Sequence, residues 1–281
     1  MTNRLAMDVL MITHNRPDYT RLSLSALLES CDDRMRVRVW HNGPDADTRS
    51  VIASFVDHPK LAHVHLSDDN VGIPAAINWM IESSPADLLA VINDDCVVCD
   101  DWGAALREAH EDVDEFGVIA CWHFPFQDYE PEIARRKIRT FERGRQLLVN
   151  AWVQGSGVAF KRRCADVAGP VSNRSGGFTG FCRRIALAGW TNGWPLPLVP
   201  IDHMDDPRSP RTALHTDEDL LRCLPLTAQG RKIRTLNEWT EQIRSSARAV
   251  QRAPMDPRCY FGLRKKVRRV MTRLRGEELV Y

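Results

Sequence analysis

Short apolar runs alternate with longer amphipathic stretches over the first third of the chain, a pattern that predicts βαβ units around a parallel sheet. DVLMIT (Asp8 to Thr13) reads as a buried strand, HNRP closes it, and Asp18 to Ser30 carries Leu22, Leu24, Leu27 and Leu28 at helical spacing. RVRVWH (Arg36 to His41) is the second strand, ended by the turn residues Asn42, Gly43 and Pro44, and a helix from about Ala46 to Val56 follows. AHVHL (Ala62 to Leu66) makes a third strand and Pro74 to Glu82 a helix. DLLAVI (Asp87 to Ile92) is a fourth strand that runs straight into Asn93, Asp94 and Asp95. Ligands of open α/β sheets sit beyond the carboxyl ends of the strands, and Thr13, His41 and the Asn93 to Asp95 run all lie at such ends.

Past GVIACW (Gly117 to Trp122) the pattern loosens. Tyr129 to Arg145 reads as a charged, helical excursion whose default is a solvated face. VQGSGVAF (Val153 to Phe160) reads as a strand again, and Arg183 to Ala188 as a helix that stops at Gly189. Proline crowds Trp194 to Pro210, which assigns that segment to loop or edge strand.

Composition narrows the function classes. With 38 Lys and Arg against 37 Asp and Glu, the net charge of +1 excludes a globally basic nucleic-acid binder. No apolar run approaches the ~20 residues of a membrane-spanning helix, and the N-terminus lacks the features of a secretory signal, so the expectation is a cytoplasmic protein. Eight scattered cysteines do not make a disulfide framework. Cys96 and Cys99 form a lone CxxC, for which Cys121 and His123 are the nominal partners in a zinc site; four unrelated, partly buried residues is the plainer reading.

Four segments, in order, carry a resemblance. DVLMITHNRP, VRVWHNGPD, DDNVGIPAAIN and LLAVINDDCVVCDDW resemble the first strand with its Thr-x-Asn-Arg ending, the Asp-Asn-Gly-Ser turn, the Asn-x-Gly loop and the Asp-x-Asp strand of the inverting family-two glycosyltransferases. Similarity is weaker through VQGSGVAFKRRCADVAGP and IALAGW. The resemblance implies a GT-A-like α/β fold with a mixed, mostly parallel sheet, assigned to residues 1–235, and transfer of a sugar from a nucleotide-diphosphate donor to a glycan or lipid-linked glycan hydroxyl; residues 236–281 read as a helical, basic C-terminal extension.

Such chemistry wants a divalent cation, Mn²⁺ or Mg²⁺, against the diphosphate leaving group, and carboxylates on a rigid strand end to hold it. By resemblance Asp95 is the metal ligand, Asp94 the middle residue of the motif, and Asn93 replaces the usual first Asp. Thr13, Asn15, Arg16, His41, Asn70, Gly72 and Asn78 fall at donor-nucleotide positions. His41 stands where an Asp commonly reads the nucleobase, and an imidazole can donate or accept there only by choice of tautomer.

Inverting transfer also needs a carboxylate to take the acceptor proton. Counting back from Gly189 and Trp190, the family's usual Glu-Asp pair falls on Gly177 and Phe178, neither of which can be a base. The nearest acidic clusters are IDHMDDPRS and TDEDL (Asp217 to Asp219). The first offers Asp205 and Asp206 as candidate bases and His203 as a second metal ligand beside Asp95; a simple Asp-Asp-Pro turn is the alternative. Arg208 and Arg211 beside it are candidates to clamp a diphosphate. Two other functions stay open on the sequence: a catalytically silent nucleotide-sugar binding or scaffold protein, and a nucleotidyltransferase-like enzyme.

Pro254 to Tyr281 holds eight Lys or Arg and three acids, which leaves the remainder with 30 bases and 34 acids. Leu263, Val267, Val270, Met271 and Leu274 recur at helical spacing among Arg264, Lys265, Arg268, Arg269 and Arg275. A basic amphipathic helix of this kind over 261–275 suits peripheral contact with an anionic membrane; packing on its own domain with a solvated charged face is the alternative.

Overall fold

A computed structural model describes residues 5–223 and 225–274. In chain order the elements are β1 (Met7–Thr13), α1 (Pro17–Glu29), β2 (Met35–Asn42), α2 (Ala46–Ala53), β3 (Leu61–Ser67), α3 (Ile73–Ser83), β4 (Leu88–Asn93), β5 (Cys96–Val98), α4 (Trp102–Asp112) and β6 (Phe116–Ala120). There follow α5 (Pro131–Ala134), β7 (Ile138–Thr140), β8 (Gln146–Asn150), β9 (Val158–Lys161), α6 (Arg162–Ala168), α7 (Gly177–Leu187), β10 (Thr191–Leu196), β11 (Ile201–His203), α8 (Asp217–Cys223), α9 (Leu226–Arg231), α10 (Leu236–Arg252) and α11 (Gly262–Leu274).

The main sheet has nine strands in the order β3-β2-β1-β4-β9-β6-β10-β8-β7, and β11 pairs with β5 in a separate ribbon. β3, β2, β1 and β4 are parallel, joined by α1, α2 and α3, as the alternation of apolar runs and amphipathic stretches predicts. Because successive strand residues point to opposite faces, β1 feeds two cores: Leu10 and Ile12 enter one layer, and Met7, Val9 and Met11 the other. α3, α6, α7 and α10 cover the first face through residues such as Met80, Cys164, Phe181 and Trp239. α1 and α4 cover the second through Leu24, Leu27, Trp102 and Leu106. α10 lies in the segment assigned to the extension, yet Trp239, Ile243, Ala247 and Val250 belong to the main core.

Four expectations need correction. The Tyr129 to Arg145 excursion is one short helical turn, α5, followed by 3₁₀ turns and the β7–β8 hairpin, in which Ile138 pairs with Leu148. Arginines that suit a solvated helix face suit the exposed side of an edge hairpin equally well. β9 begins at Val158, five residues later than expected. The Pro-rich segment contributes an interior strand: β10 lies between β6 and β8, and Pro195 is tolerated because pairing to β6 ends at Gly193. α7 starts at Gly177, six residues earlier than the periodicity indicates. Among the described residues no helix is long and apolar enough to cross a membrane.

Candidate active site

The carboxyl ends of β1, β2 and β4 converge where strand order doubles back, the place at which sheets of this kind bind ligands. β4 ends in Asn93, and the chain turns through Asp94 and Asp95 into β5. Asp94 is tied across to β1: its backbone N–H donates to the Ile12 carbonyl (3.1 Å) and its carboxylate accepts from the His14 N–H (2.9 Å). Burial, and next the charge of Asp95, push the Asp94 carboxyl up to about 7.

His203 reaches Asp95 through strand register. β11 runs antiparallel to β5 with His203 opposite Cys96, and the Met204 N–H donates to the Asp95 carbonyl at 2.7 Å. His203 Nε2 consequently lies 3.7 Å from Asp95 Oδ2. Burial opposes charge on the imidazole, but the ion pair with Asp95 outweighs it and raises His203 to about 9. Asp95 in turn is held well below the usual carboxylate range despite its burial, by His203 and then Arg16. His123 stacks on His203 with ring centroids 5.2 Å apart.

Two residues past β11, Asp205 joins the cluster. Arg16, set one residue beyond the left-handed Asn15 (φ 50°), donates to Asp205 Oδ2 at 2.9 Å and lies 3.9 Å from Asp95 Oδ2. Asp205 Oδ1 is buried with no partner among the described residues. Burial, with Asp95 next, holds this carboxyl above its ordinary range. Its backbone is pinned from two helices: Trp239 Nε1 on α10 donates to the Asp205 carbonyl (2.7 Å), and the Tyr19 hydroxyl on α1 donates to the Met204 carbonyl (2.9 Å).

The donor set suits a hard divalent cation. Asp95, His203 and Cys96 offer ligand atoms within 4.8 Å of one another, the only such group of three among the described residues. Cys96 is the poor member, since a thiol sulfur is a soft donor that a hard divalent cation does not favour. Asp95 oxygen and His203 nitrogen remain. The CxxC zinc grouping does not form: among the described residues Cys96, Cys99, Cys121 and His123 do not bring their ligand atoms together.

The other expected site residues divide. Asn15 and Asn70 are exposed, and Gly72 adopts φ +84°, in the region that favours glycine. Asn70 Oδ1 accepts from the Gly72 N–H (3.1 Å), which shapes that loop. Thr13 and His41 are both fully buried and bonded to each other, Oγ1 to Nδ1 at 2.9 Å. Burial, and then Arg49, lower the His41 pKa. They form a floor under the strand ends rather than a surface for a base. Asn78 is also committed elsewhere, exchanging two hydrogen bonds with the Val171 backbone at 2.8 and 2.9 Å.

Asp206 is not available as a base, because Arg208 engages both its oxygens and bridges them to Asp128. That occupation removes Arg208 as a diphosphate clamp as well. Arg211 pairs with Asp202 at 2.9 Å. Asp217 and Asp219 serve local structure, accepting from Leu236 and Thr216 N–H groups. At the expected place of the Glu-Asp pair, Gly176 and Gly177 have φ of +90° and +59°, and a Cβ on Gly180 would lie 1.8 Å from the Ser175 carbonyl oxygen. The first turn of α7 is folded so tightly that it presents glycine and Phe178 where a carboxylate would stand.

Three contributors escape the sequence patterns. His14 is exposed, its ring contacting the Asn42 carbonyl and Asn70 Nδ2. Asn42 Oδ1 accepts from the Val71 N–H at 3.0 Å. Trp239 follows Thr235-x-x-Glu238, a capping box that was readable as a helix start but carries no hint of Asp205.

The fold is shared with solved structures. A mannosyltransferase from Pyrobaculum calidifontis, PcManGT, in complex with GDP-Man and Mn²⁺, superposes with a TM-score of 0.60 over 96% of this chain and 81% of its own, at 16% identity. GalNAc-T7 with UDP, GalNAc and Mn²⁺ superposes with a TM-score of 0.55 over 71% of this chain and 43% of its own, at 12% identity. Curated protein sequences yield no significant match. The sequence profile of glycosyl transferase family 2 matches residues 8–186, which takes in β1 to α7 and most of the cluster built above. The chain belongs to glycosyl transferase family 2 and is a glycosyltransferase on a GT-A-type sheet.

Proposed function

We propose that the site binds a nucleotide-diphosphate sugar beyond the ends of β1, β2 and β4 and transfers the sugar, with inversion, to a hydroxyl of a glycan or lipid-linked glycan. The observation that carries this reading is the convergence of Arg16, Asp94, Asp95, His203 and Asp205 from separate chain segments onto one strand-end cluster. PcManGT and GalNAc-T7, solved with Mn²⁺ and with GDP-Man or UDP, have the same fold.

Asp95 and His203 are the residues that would hold Mn²⁺ or Mg²⁺, a mixed O/N pair of the kind Mn²⁺ accepts. The bound ion would supply positive charge for the diphosphate leaving group. The remaining roles belong to the chain. Arg16 adds fixed positive charge beside that group. Asp94, through the His14 N–H, fixes the loop after β1. His14, Asn15, Asn70 and Gly72 form the exposed rim against which the nucleoside lies, supported from below by Thr13 and His41.

Asp205 takes the acceptor proton. Arg16 orients the carboxylate through Oδ2 and leaves Oδ1 to receive a hydrogen. As the acceptor oxygen bonds to the anomeric carbon from the face opposite the phosphate, its proton passes to Asp205 and the sugar–phosphate bond breaks. The test is nucleotide release from UDP-, GDP- and dTDP-sugars with Mn²⁺ and glycan or lipid-glycan extracts. Release with one donor class is expected; nucleotide binding without release for every donor and extract would leave a silent binder.

A further inference from the structure

α11 is attached to the protein by its polar side. Arg268 stacks over the Tyr260 ring at 4.4 Å, and Arg183 of α7 stacks over the same ring at 4.2 Å, so the ring fastens the helix between two guanidinium groups. Tyr260 itself is buried in the main core. At 100° per residue, Leu263, Val267, Val270 and Leu274 form a single stripe on the side away from Arg268. That stripe faces solvent: Leu263 is 76% exposed, Val267 54%, Val270 57% and Leu274 77%. Met271, at its margin, is 45% exposed, and Phe261, just before the helix, 38%. An amphipathic helix that packs on its own domain buries its apolar face; here the stripe is exposed and Arg268, on the other side, makes the contact.

The charge around the stripe indicates what covers it. α11 contains six Lys or Arg and no acid in thirteen residues. Arg264 falls on one flank of the stripe, where it also pairs with Asp256 at 3.3 Å, and the exposed Lys266 falls on the other. Aliphatic residues along the middle with cations on both sides match a planar surface that is apolar below and anionic at the level of the flanks. Arg275, which the sequence pattern also places in this segment, lies outside the described residues.

We propose that α11 is a peripheral anchor that lays its Leu263–Val267–Val270–Leu274 stripe into an anionic lipid surface, with Lys266 and Arg264 at headgroup level. The proposal does not depend on the donor chemistry of the strand-end cluster. Of the two sequence alternatives, packing on the domain would bury the apolar stripe, which is exposed. Attachment through one short helix is reversible and salt-sensitive, because charge attraction is screened over roughly 8 Å at physiological salt.

Co-sedimentation of the full chain with phosphatidylglycerol/phosphatidylcholine vesicles and with pure phosphatidylcholine vesicles tests it. The native chain should partition at least about tenfold more onto the anionic vesicles at low salt and come off in 0.5 M NaCl. Val267→Asp with Val270→Asp, both at exposed positions, should cut that partition by about tenfold, and Lys266→Glu by a smaller factor, with circular dichroism and melting temperature unchanged. Three results would overturn the proposal: no binding by the native chain, binding undiminished by the stripe substitutions, or a dimer in sedimentation equilibrium that Val267→Asp dissociates. The last would mean that a second copy covers the stripe.

Discussion

On the proposed donor side, Thr13, His41 and Asp94 stand at the ends of parallel strands paired residue by residue along their length. On the opposite side, His203 ends a three-residue strand and Asp205 sits in the loop beyond it, fixed by hydrogen bonds from Tyr19 and Trp239. The donor side is therefore built by sheet register, which tolerates change in any one side chain. The other side is built by a few long-range contacts, each of which matters singly. Substitutions on the first side should act through chemistry alone, and on the second through chemistry and stability together.

The largest expected effect is on the donor side. Asp95→Ala removes the central hard ligand and should weaken Mn²⁺-dependent nucleotide binding by more than about 100-fold in calorimetry, with the melting temperature held by the β1–β4 pairing. Undiminished Mn²⁺ dependence would remove Asp95 from the site. On the other side, Asp206→Asn weakens one of the two carboxylate contacts to Arg208, leaving Asp128, and should cost about 2 kcal/mol in denaturant unfolding. An unchanged unfolding midpoint would show that the loop after β11 does not rely on that ion pair.

Lys137 packs beneath α10. Its ammonium is buried with no acid beside it among the described residues, Nζ donating to the Val250 carbonyl at 2.9 Å, and desolvation lowers its pKa to about 7. Above that value the folded chain holds the neutral amine while the unfolded chain stays protonated up to about 10.4, so stability rises with pH through this window. Between pH 7 and pH 9 the native protein should gain about 2 kcal/mol relative to Lys137→Met. Parallel pH profiles would show that the amine stays charged. The smallest effect is expected from Trp239→Phe, which deletes one hydrogen bond to the Asp205 carbonyl: about 1 kcal/mol of stability and a fall in turnover, with nucleotide affinity kept. Unaltered turnover would mean that Asp205 is positioned without α10.

The same division explains what could be read from the chain. A strand and the turn that follows it are contiguous, so NDDCVVCDDW exposes Asp94 and Asp95 to inspection, and β1 to β4 lie where their apolar runs predict. IDHMDD marks His203 and Asp205 as a local cluster, but their meeting with Asp95 and Arg16 depends on antiparallel register and on a turn far away in the chain. Trp239 reaches the site from 34 residues beyond Asp205 and reads in sequence only as part of an amphipathic helix. Residue type also misleads where burial decides the role: His41 and Asn78 occupy binding positions by pattern, yet a hydroxyl and a backbone segment have already engaged them. The same holds for Asp206, whose neighbour Asp205 has one oxygen without a partner.

Asp205 is the proposed base, and two measurements on Asp205→Asn decide its role: single-turnover sugar transfer, and affinity for the Mn²⁺–nucleotide complex, on the same preparation. The amide keeps the shape and the contact to Arg16 but cannot take a proton. Transfer should fall by about 10²- to 10⁴-fold, the span general-base catalysis contributes, while nucleotide affinity changes by no more than a few-fold. Full turnover in the variant would contradict the assignment of the base, and loss of nucleotide binding in step with turnover would place Asp205 in the donor site instead.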